Sequence, residues 1–118
     1  MKNILVLLIV YITISCTEDF KKSADRLWQD GKKYRTQNKL QESITNFRTI
    51  VKKYPSNDLA ANAQFQIADI YLNDVKDFEF AVEEFKKVID RYPSNEVAKK
   101  SLFMIAYIRS RLKKYNEV

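Results

Sequence analysis

A phrase ending in Tyr-Pro-Ser-Asn occurs twice in this chain. Residues 47–57 read FRTIVKKYPSN, and residues 85–95 read FKKVIDRYPSN, so the copies are 38 positions apart (85 − 47). An internal repeat with a period of roughly 20 to 50 residues is typical of a solenoid, whose units are each too small to bury their own apolar face. The repeat therefore predicts a stack of similar units.

The repeating unit is predicted to be helical. One Gly and two Pro in 118 residues argue against a turn-rich β fold. Apolar residues recur at spacings of 3 and 4, which is the pattern of amphipathic helices. We predict a first helix with its stripe on residues 20–34, a second from Leu40 to Pro55, a third over about 59–72, a fourth over about 77–92, and a fifth from residue 98 onward. Ser56 or Asn57 is expected to cap the third helix.

The N-terminus has the pattern of a secretory signal peptide. A short basic start precedes nine uninterrupted apolar residues, 4–12, too few for the ~20 that span a bilayer. This stretch closes on Cys16, the only cysteine in the chain. A small residue followed by Cys resembles a bacterial lipobox, although Thr13 stands where that pattern prefers Leu.

The lipobox resemblance implies that residues 1–15 are a lipoprotein signal peptide and that Cys16 carries a thioether-linked lipid. Residues 16–23 would then be the lipidated Cys and a short tether, and the acyl chains would hold the protein on a membrane. Asp after the Cys favours inner-membrane retention in enterobacterial lipoproteins, and Thr17 stands there, so the outer membrane is expected. A plain signal peptide with a chance Cys is the alternative.

The residues for most catalytic chemistry are missing. The chain has no His, and its single Cys is assigned to the lipid, so Ser-His pairs, Cys-His pairs and His- or Cys-based zinc sites cannot be built. One Gly excludes a glycine-rich phosphate loop. Glu83 and Glu84 point about 100° apart on a helix, and we interpret them as part of a solvated face. We expect no catalytic residue, metal or cofactor.

A known family pattern covers residues 24–118. A small residue, Phe four positions later and Pro eight positions after that form the second-helix pattern of tetratricopeptide repeats. It is matched by Ser43, Phe47 and Pro55, and again by Ala81, Phe85 and Pro93. The first helix also resembles the family, through Leu27, Gly31 and Tyr34, with Ala68, Tyr71 and Ala106 in the later units.

The tetratricopeptide resemblance implies an all-α solenoid of helix hairpins with about two and a half repeats. Their bounds are about 24–57, 58–95 and an incomplete 96–118. The residues for a second helix of the third repeat would begin near Val118. We therefore expect an open apolar face at this end, which calls for a cap, a further domain or a partner.

The lengthened repeat, with YPSN followed by LAANAQFQIADIY, is similar to periplasmic tetratricopeptide proteins of the bacterial envelope. One such group is the lipoprotein of the outer-membrane β-barrel assembly machine, and another is the Tol-Pal-associated coordinator of cell division. The resemblance implies a non-catalytic scaffold on the periplasmic face of the outer membrane that binds barrel-assembly components. The alternatives are a Tol-Pal or cell-wall coordinator and, from another class, a small envelope enzyme.

The net charge of +6 is partly concentrated near the C-terminus. Six basic residues lie there without an acidic residue among them: Lys99, Lys100, Arg109, Arg111, Lys113 and Lys114. We interpret them as a solvated helix surface, with an anionic membrane surface as the alternative. Neither nucleic acid nor a small-molecule substrate is expected.

In the family, the first helix of each unit lines a concave groove, and the position three residues before the small residue points into it. Here those positions hold Trp28, Phe65 and Phe103. The resemblance thus implies a peptide groove with an aromatic ladder, edged by Lys32, Arg35, Asp69 and Tyr107. The alternative is that the rings pack between neighbouring helices. Groove rings would be partly exposed, whereas packing rings would be covered.

Overall fold

The computed structural model describes residues 2–116, without the side chains of residues 14–22. Within that range the chain forms helices and no strand. They are α1 (Lys2–Thr36), α2 (Leu40–Lys53), α3 (Ala60–Ile70), a π-helical turn (Tyr71–Val75), α4 (Phe78–Arg91) and α5 (Glu96–Asn116). Each helix packs against the next one along the chain. This confirms the predicted all-α, tetratricopeptide-like solenoid of helix hairpins.

The two prolines end the second helix of each hairpin in the same way. Tyr54 and Tyr92 precede them with nearly identical backbone angles, φ −127° and ψ 50° against φ −130° and ψ 52°. A residue before proline is kept out of the α region by the proline ring. The Asn57 side chain then accepts a hydrogen bond from the Leu59 backbone N–H at 2.9 Å. Asn95 does the same for Val97 at 3.1 Å, so the corner is a repeated structure.

The apolar residues form two core clusters, one for each complete hairpin. The first joins α2 and α3, with side chains of α1 packed against it, and is centred on Phe47, Ile50 and Ile67. The second joins α3, α4 and α5 and is centred on Phe85, Val88 and Ile108. Because α3 contributes to both clusters, it connects the first hairpin to the second.

The leader and the first repeat share one helix. The backbone of residues 16–23, expected to be a tether, is helical and continues α1, because nothing between residues 2 and 30 is Gly or Pro. Residues 4–12 leave their apolar side chains exposed, and burial begins at Ala24. No described helix is long and apolar enough to cross a membrane. The Cys16 side chain lies outside the described residues, so its lipidation stays a prediction.

The second complete hairpin contains one residue more than the first. The first helices repeat at an offset of 37 (Gly31 to Ala68), whereas the second helices repeat at 38 (Phe47 to Phe85). The π-helical turn takes up this residue, because π geometry adds one residue to a helical turn. The predicted end of the third helix at 73–74 accordingly lies inside this turn.

A similar backbone hydrogen bond closes the corner between the first and second helices of each hairpin. The Lys39 N–H donates to the Tyr34 carbonyl at 2.9 Å, and the Asp77 N–H donates to the Tyr71 carbonyl at 2.9 Å. The first bond spans five residues and the second spans six. The two hairpins therefore reach equivalent corners despite the extra residue.

Candidate functional site

The predicted aromatic ladder is mostly packing. Trp28 meets Phe47 edge to face, with ring centroids 5.3 Å apart at 65°, and Phe65 meets Phe85 at 5.3 Å and 64°. Phe65 is only 7% exposed, and Trp28 is partly buried against the first core cluster. These two rings join the first and second helices of their own hairpins. Phe65 is covered, so we correct its assignment as an exposed groove ring, whereas Trp28 keeps part of its surface exposed and its place in a groove stays a prediction.

Phe103 differs from its two counterparts, since it is 69% exposed. It occupies the equivalent position on α5, but no described helix lies where α2 and α4 lie in the complete hairpins. Since all three positions hold an aromatic residue, the greater exposure of Phe103 results from the lack of a described helix packed against it.

The small residues in the first helices provide space for the phenylalanines opposite them. A Cβ built on Gly31 would lie 2.9 Å from two ring carbons of Phe47, a distance that side chains do not tolerate without movement. Next to it, the Ser43 hydroxyl donates to the Gly31 carbonyl at 2.7 Å. Ala68 is fully buried at the equivalent position, whereas Ala106 is exposed on α5.

Arg35 and Asp69, predicted at the edge of the groove, bind each other. The Arg35 guanidinium donates to Asp69 Oδ2 at 2.7 Å, to Asp74 Oδ2 at 2.7 Å and to Gln66 Oε1 at 2.9 Å. Burial lowers the pKa of Arg35, but the hydrogen bonds and charges of Asp74 and Asp69 outweigh it and raise the pKa above its usual value. This clamp joins α1 to α3 and the π-helical turn. Lys32, one turn earlier, is exposed.

The structure corrects the interpretation of Glu84. Glu83 is solvated and pairs with Lys86 at 2.9 Å, but the Glu84 side chain is fully buried. Its carboxylate accepts hydrogen bonds from Arg48 at 2.8 Å, Gln64 at 2.7 Å and Lys87 at 2.9 Å. Sequence spacing places it beside the apolar stripe of α4, and only the packing of α2 and α3 against that edge encloses it.

The Glu84 carboxylate is held in its charged form. Burial alone raises the pKa of Glu84, but the hydrogen bonds from Arg48, Lys87 and Gln64 outweigh burial and lower its pKa below the usual range. Its partners come from α2, α3 and α4, so the cluster connects the two hairpins. We interpret it as structural, because the Glu84 carboxylate accepts hydrogen bonds from three side chains and no described buried side-chain N or O atom lacks a partner. Among the described residues, no group of three or more His, Cys, Asp or Glu side chains is placed to hold a metal ion.

An apolar cleft of about 510 Å³ lies between the π-helical turn and the C-terminal half of α5. Of the predicted groove residues only Tyr107 lines it, and sequence reasoning missed the rest, chiefly Leu72, Phe78, Ile108, Leu112 and Tyr115. The offset between the repeats could have indicated these residues from the sequence. Leu72 takes the position of Arg35 (72 − 35 = 37), so the polar clamp of the first interface is replaced by an apolar surface in the second.

The basic residues of α5 divide into two groups. Lys100 lies 4.9 Å from the centroid of the Phe65 ring, and Arg111 lies 5.7 Å from that of Tyr107. The other four, Lys99, Arg109, Lys113 and Lys114, have no such ring contact among the described residues, and all six side chains are exposed. None of the six basic residues forms an ion pair with a described residue. The C-terminal part of α5 therefore presents uncompensated positive charge.

One family model matches the chain. Residues 62–95 match the model described as tetratricopeptide repeat, and this segment runs from α3 through the π-helical turn and α4 to the second Pro-Ser-Asn corner. A search of curated proteins finds no match. The match supports a tetratricopeptide-repeat protein, and such repeats are typically non-enzymatic modules for protein–protein interaction.

Proposed function

We propose that this tetratricopeptide-repeat protein is a non-catalytic scaffold of the bacterial cell envelope, anchored through a lipid on Cys16 to the periplasmic face of the outer membrane. Within that class, we propose the barrel-assembly type, in which the repeats bind other envelope proteins or segments of them. The observation that carries the proposal is the arrangement of a helix-hairpin solenoid directly behind an apolar leader that ends in Cys16.

The scaffold role is supported by the surfaces that the solenoid leaves open. The cleft beside Tyr107 is lined mainly by apolar and aromatic side chains, which are the usual anchors of a binding site for protein segments. Lys76 and Arg111 line the same cleft and give it a positively charged edge. The buried polar groups, in contrast, are satisfied within the protein, and they have the character of structural contacts.

The envelope location is supported by the leader. Its nine apolar residues precede Cys16, and their side chains are exposed and unused by the core. Acyl chains contribute about 0.8 kcal/mol for each methylene buried in a membrane, so two or three of them on one cysteine make a stable anchor. Thr17 after the cysteine is consistent with the outer membrane.

The anchor is tested by expressing the wild type and Cys16→Ala in a Gram-negative host. We expect the wild type in the outer-membrane fraction with an acylated N-terminal cysteine by mass spectrometry. We expect Cys16→Ala to carry no lipid and to leave that fraction. An unmodified thiol on a soluble, processed wild-type chain would show that the leader is a plain signal peptide.

The choice of partner is tested by affinity purification from solubilised envelope membranes. Copurification of a β-barrel insertase supports the barrel-assembly type. Recovery of Tol proteins or a peptidoglycan synthase instead supports the cell-division coordinator. A turnover activity that is lost on changing an acidic residue would contradict the non-catalytic scaffold altogether.

A further inference from the structure

The outer face of α5 repeats a surface that is covered by a helix in both complete hairpins. This face consists of Leu102, Phe103 and Ala106, and we call it the open face of α5. Its counterparts are Gln64, Phe65 and Ala68 on α3 (an offset of 38), and Leu27, Trp28 and Gly31 on α1 (a further offset of 37).

The counterparts show what such a face accommodates. On α1 it is covered by α2, whose Phe47 ring lies against Gly31 and meets Trp28 at 5.3 Å. On α3 it is covered by α4, whose Phe85 ring meets Phe65 at 5.3 Å. In both cases the covering element is an amphipathic helix, and its phenylalanine packs against the ring and beside the small residue.

The open face of α5 has no such cover among the described residues. Leu102 is 62% exposed and Phe103 69% exposed, against 1% for Gln64 and 7% for Phe65. The opposite face of α5, with Ile105 and Ile108, is buried in the second core cluster. The helix is therefore held in place by one side while the other side presents a formed apolar surface.

The positive charge around the open face favours some binding partners over others. Lys99 and Arg109 flank it, and Lys113 and Lys114 follow on the same helix, none of them paired with a described acidic residue. A second copy docking its own α5 would place these positive charges together, which is unfavourable. A helix with acidic flanks would instead be attracted.

We propose that the open face of α5 binds an amphipathic helix of a partner protein, with a phenylalanine placed beside Phe103 and Ala106 and with acidic residues on its flanks. The bound helix would complete a third hairpin. Leu102 replaces the polar Gln64, so the partner needs an apolar residue where α4 has Glu84. The inference rests on the proposed scaffold function and specifies the class of partner.

The chain itself supplies a matched pair of probes. A peptide of residues 77–92, from α4, carries Glu84→Leu to meet Leu102 and contains Phe85 with four acidic and three basic residues, for a net charge of −1. A peptide of residues 40–54, from α2, carries Leu at the equivalent position, Asn46→Leu (84 − 46 = 38), and contains Phe47 with one acidic and three basic residues, for a net charge of +2. Each is kept helical by a Lys-Asp lactam bridge. The bridge joins Lys86 to Asp90 in the first peptide and positions 41 and 45, changed to Lys and Asp (Gln41→Lys, Thr45→Asp), in the second, and it leaves these net charges unchanged.

Binding is measured by fluorescence anisotropy to the full chain, held in lipid nanodiscs through the lipid on Cys16 or, where it carries no lipid, free in buffer. We expect the 77–92 peptide to bind, its Phe85→Ala form to bind about tenfold more weakly or worse, and the 40–54 peptide to bind more weakly than the 77–92 peptide. In the full chain, Phe103→Ala and Ala106→Phe should each weaken binding by about tenfold, the second by filling the space for the incoming ring.

The fold should survive both changes, because the altered side chains are exposed, and circular dichroism checks this. Gln41→Ala is the control, since Gln41 is exposed on α2 and belongs neither to the open face nor to the cleft. Binding that is unaffected by Phe103→Ala and Ala106→Phe, or stronger for the 40–54 peptide, would overturn the proposal. Copies of a Phe103→Cys, Cys16→Ala chain that cross-link to each other on oxidation, with no competition by the 77–92 peptide, would also overturn it in favour of self-association.

These results are distinguishable from failure of the proposed function. A chain that copurifies with envelope partners but binds neither peptide remains a scaffold that uses another surface. A chain that binds the 77–92 peptide at the open face but is found soluble and unlipidated would refute the outer-membrane location alone.

Discussion

Phe47 and Phe85 close the two complete hairpins. Both rings are fully buried, as their place in the repeat predicts, and each meets an aromatic ring of the preceding helix. Replacing a buried Phe with Ala typically costs about 3 to 5 kcal/mol, because transfer energy is lost and a cavity remains. At the residue scale, these two side chains should therefore dominate stability.

We expect Phe47→Ala and Phe85→Ala each to lower the free energy of unfolding by about 3 to 5 kcal/mol in urea denaturation. Phe103→Ala is the matched control, since that ring is 69% exposed, and it should change stability by less than about 0.5 kcal/mol. A melting temperature of either buried variant within about a degree of wild type would contradict the packing described for that ring.

Glu84 should make stability depend on acid pH. Its pKa is lowered in the folded protein, so its contribution is complete above the unfolded value of about 4.3 and is lost as pH falls through the folded pKa. We expect Glu84→Gln to lower the free energy of unfolding by about 1 to 3 kcal/mol at pH 7. The difference from wild type should shrink as the pH of the urea titration is lowered from 5 toward 3.

The neighbouring Glu83 provides the control for this experiment. Its side chain is 64% exposed and pairs only with Lys86 among the described residues, so Glu83→Gln should change stability by less than about 1 kcal/mol. Equal effects of the two substitutions at pH 7 would show that Glu84 is not enclosed as described.

At the scale of the element, the corners between first and second helices require a left-handed residue. Asn38 has φ 57° in the first hairpin and Lys76 has φ 61° in the second, at equivalent positions (76 − 38 = 38). Asn tolerates this region, whereas the lysine Cβ crowds the backbone. The second corner, which also carries the π-helical turn, is therefore the more strained of the two.

Lys76→Gly should stabilise the protein by about 0.5 to 1 kcal/mol, because Gly removes the steric cost and its extra unfolded-state entropy offsets only part of the gain. Asn38→Gly should have a smaller effect. Lys76→Ala serves as the control, since Ala has the same Cβ and should leave urea denaturation nearly unchanged. A Lys76→Gly variant less stable than Lys76→Ala would contradict a left-handed conformation at this corner.

At the scale of the whole molecule, polar contacts couple the two hairpins. A solenoid's stability is approximately the sum of its units and the interfaces between them. The Arg35 clamp joins α1 to α3 and the π-helical turn, with side chains that are 23% to 28% exposed for Arg35, Asp69 and Asp74. The clamp should therefore contribute more than an ordinary surface ion pair.

We expect Arg35→Ala to lower the free energy of unfolding by about 1 to 2 kcal/mol, since three hydrogen bonds of the guanidinium are lost, two of them to carboxylates. Lys32→Ala, one turn away and exposed, should change it by less than about 0.5 kcal/mol. The measurement is urea denaturation at low and high salt, and the Arg35 effect should persist at high salt because the pair is partly shielded from solvent. Equal effects at the two positions would contradict the coupling.

The features that depend on local chemistry and on the repeat could be predicted from the sequence. Pro55 and Pro93 end α2 and α4 because a proline restricts the residue before it, and the apolar spacing of 3 and 4 predicts helices regardless of what they pack against. The small residues and phenylalanines of the repeat identify the hairpins. The signal peptide and the lipidation of Cys16 are likewise predicted from a local sequence pattern.

Features that depend on which helix packs against a residue could be seen only in the folded structure. Trp28, Phe65 and Phe103 are equivalent in sequence, yet a second helix covers only the first two and leaves Phe103 in solvent. Glu83 and Glu84 are adjacent and identical, yet Arg48, Gln64 and Lys87 converge on one of them alone. Burial and charge pairing are properties of neighbours brought together by folding, so no spacing along α4 or α5 specifies them.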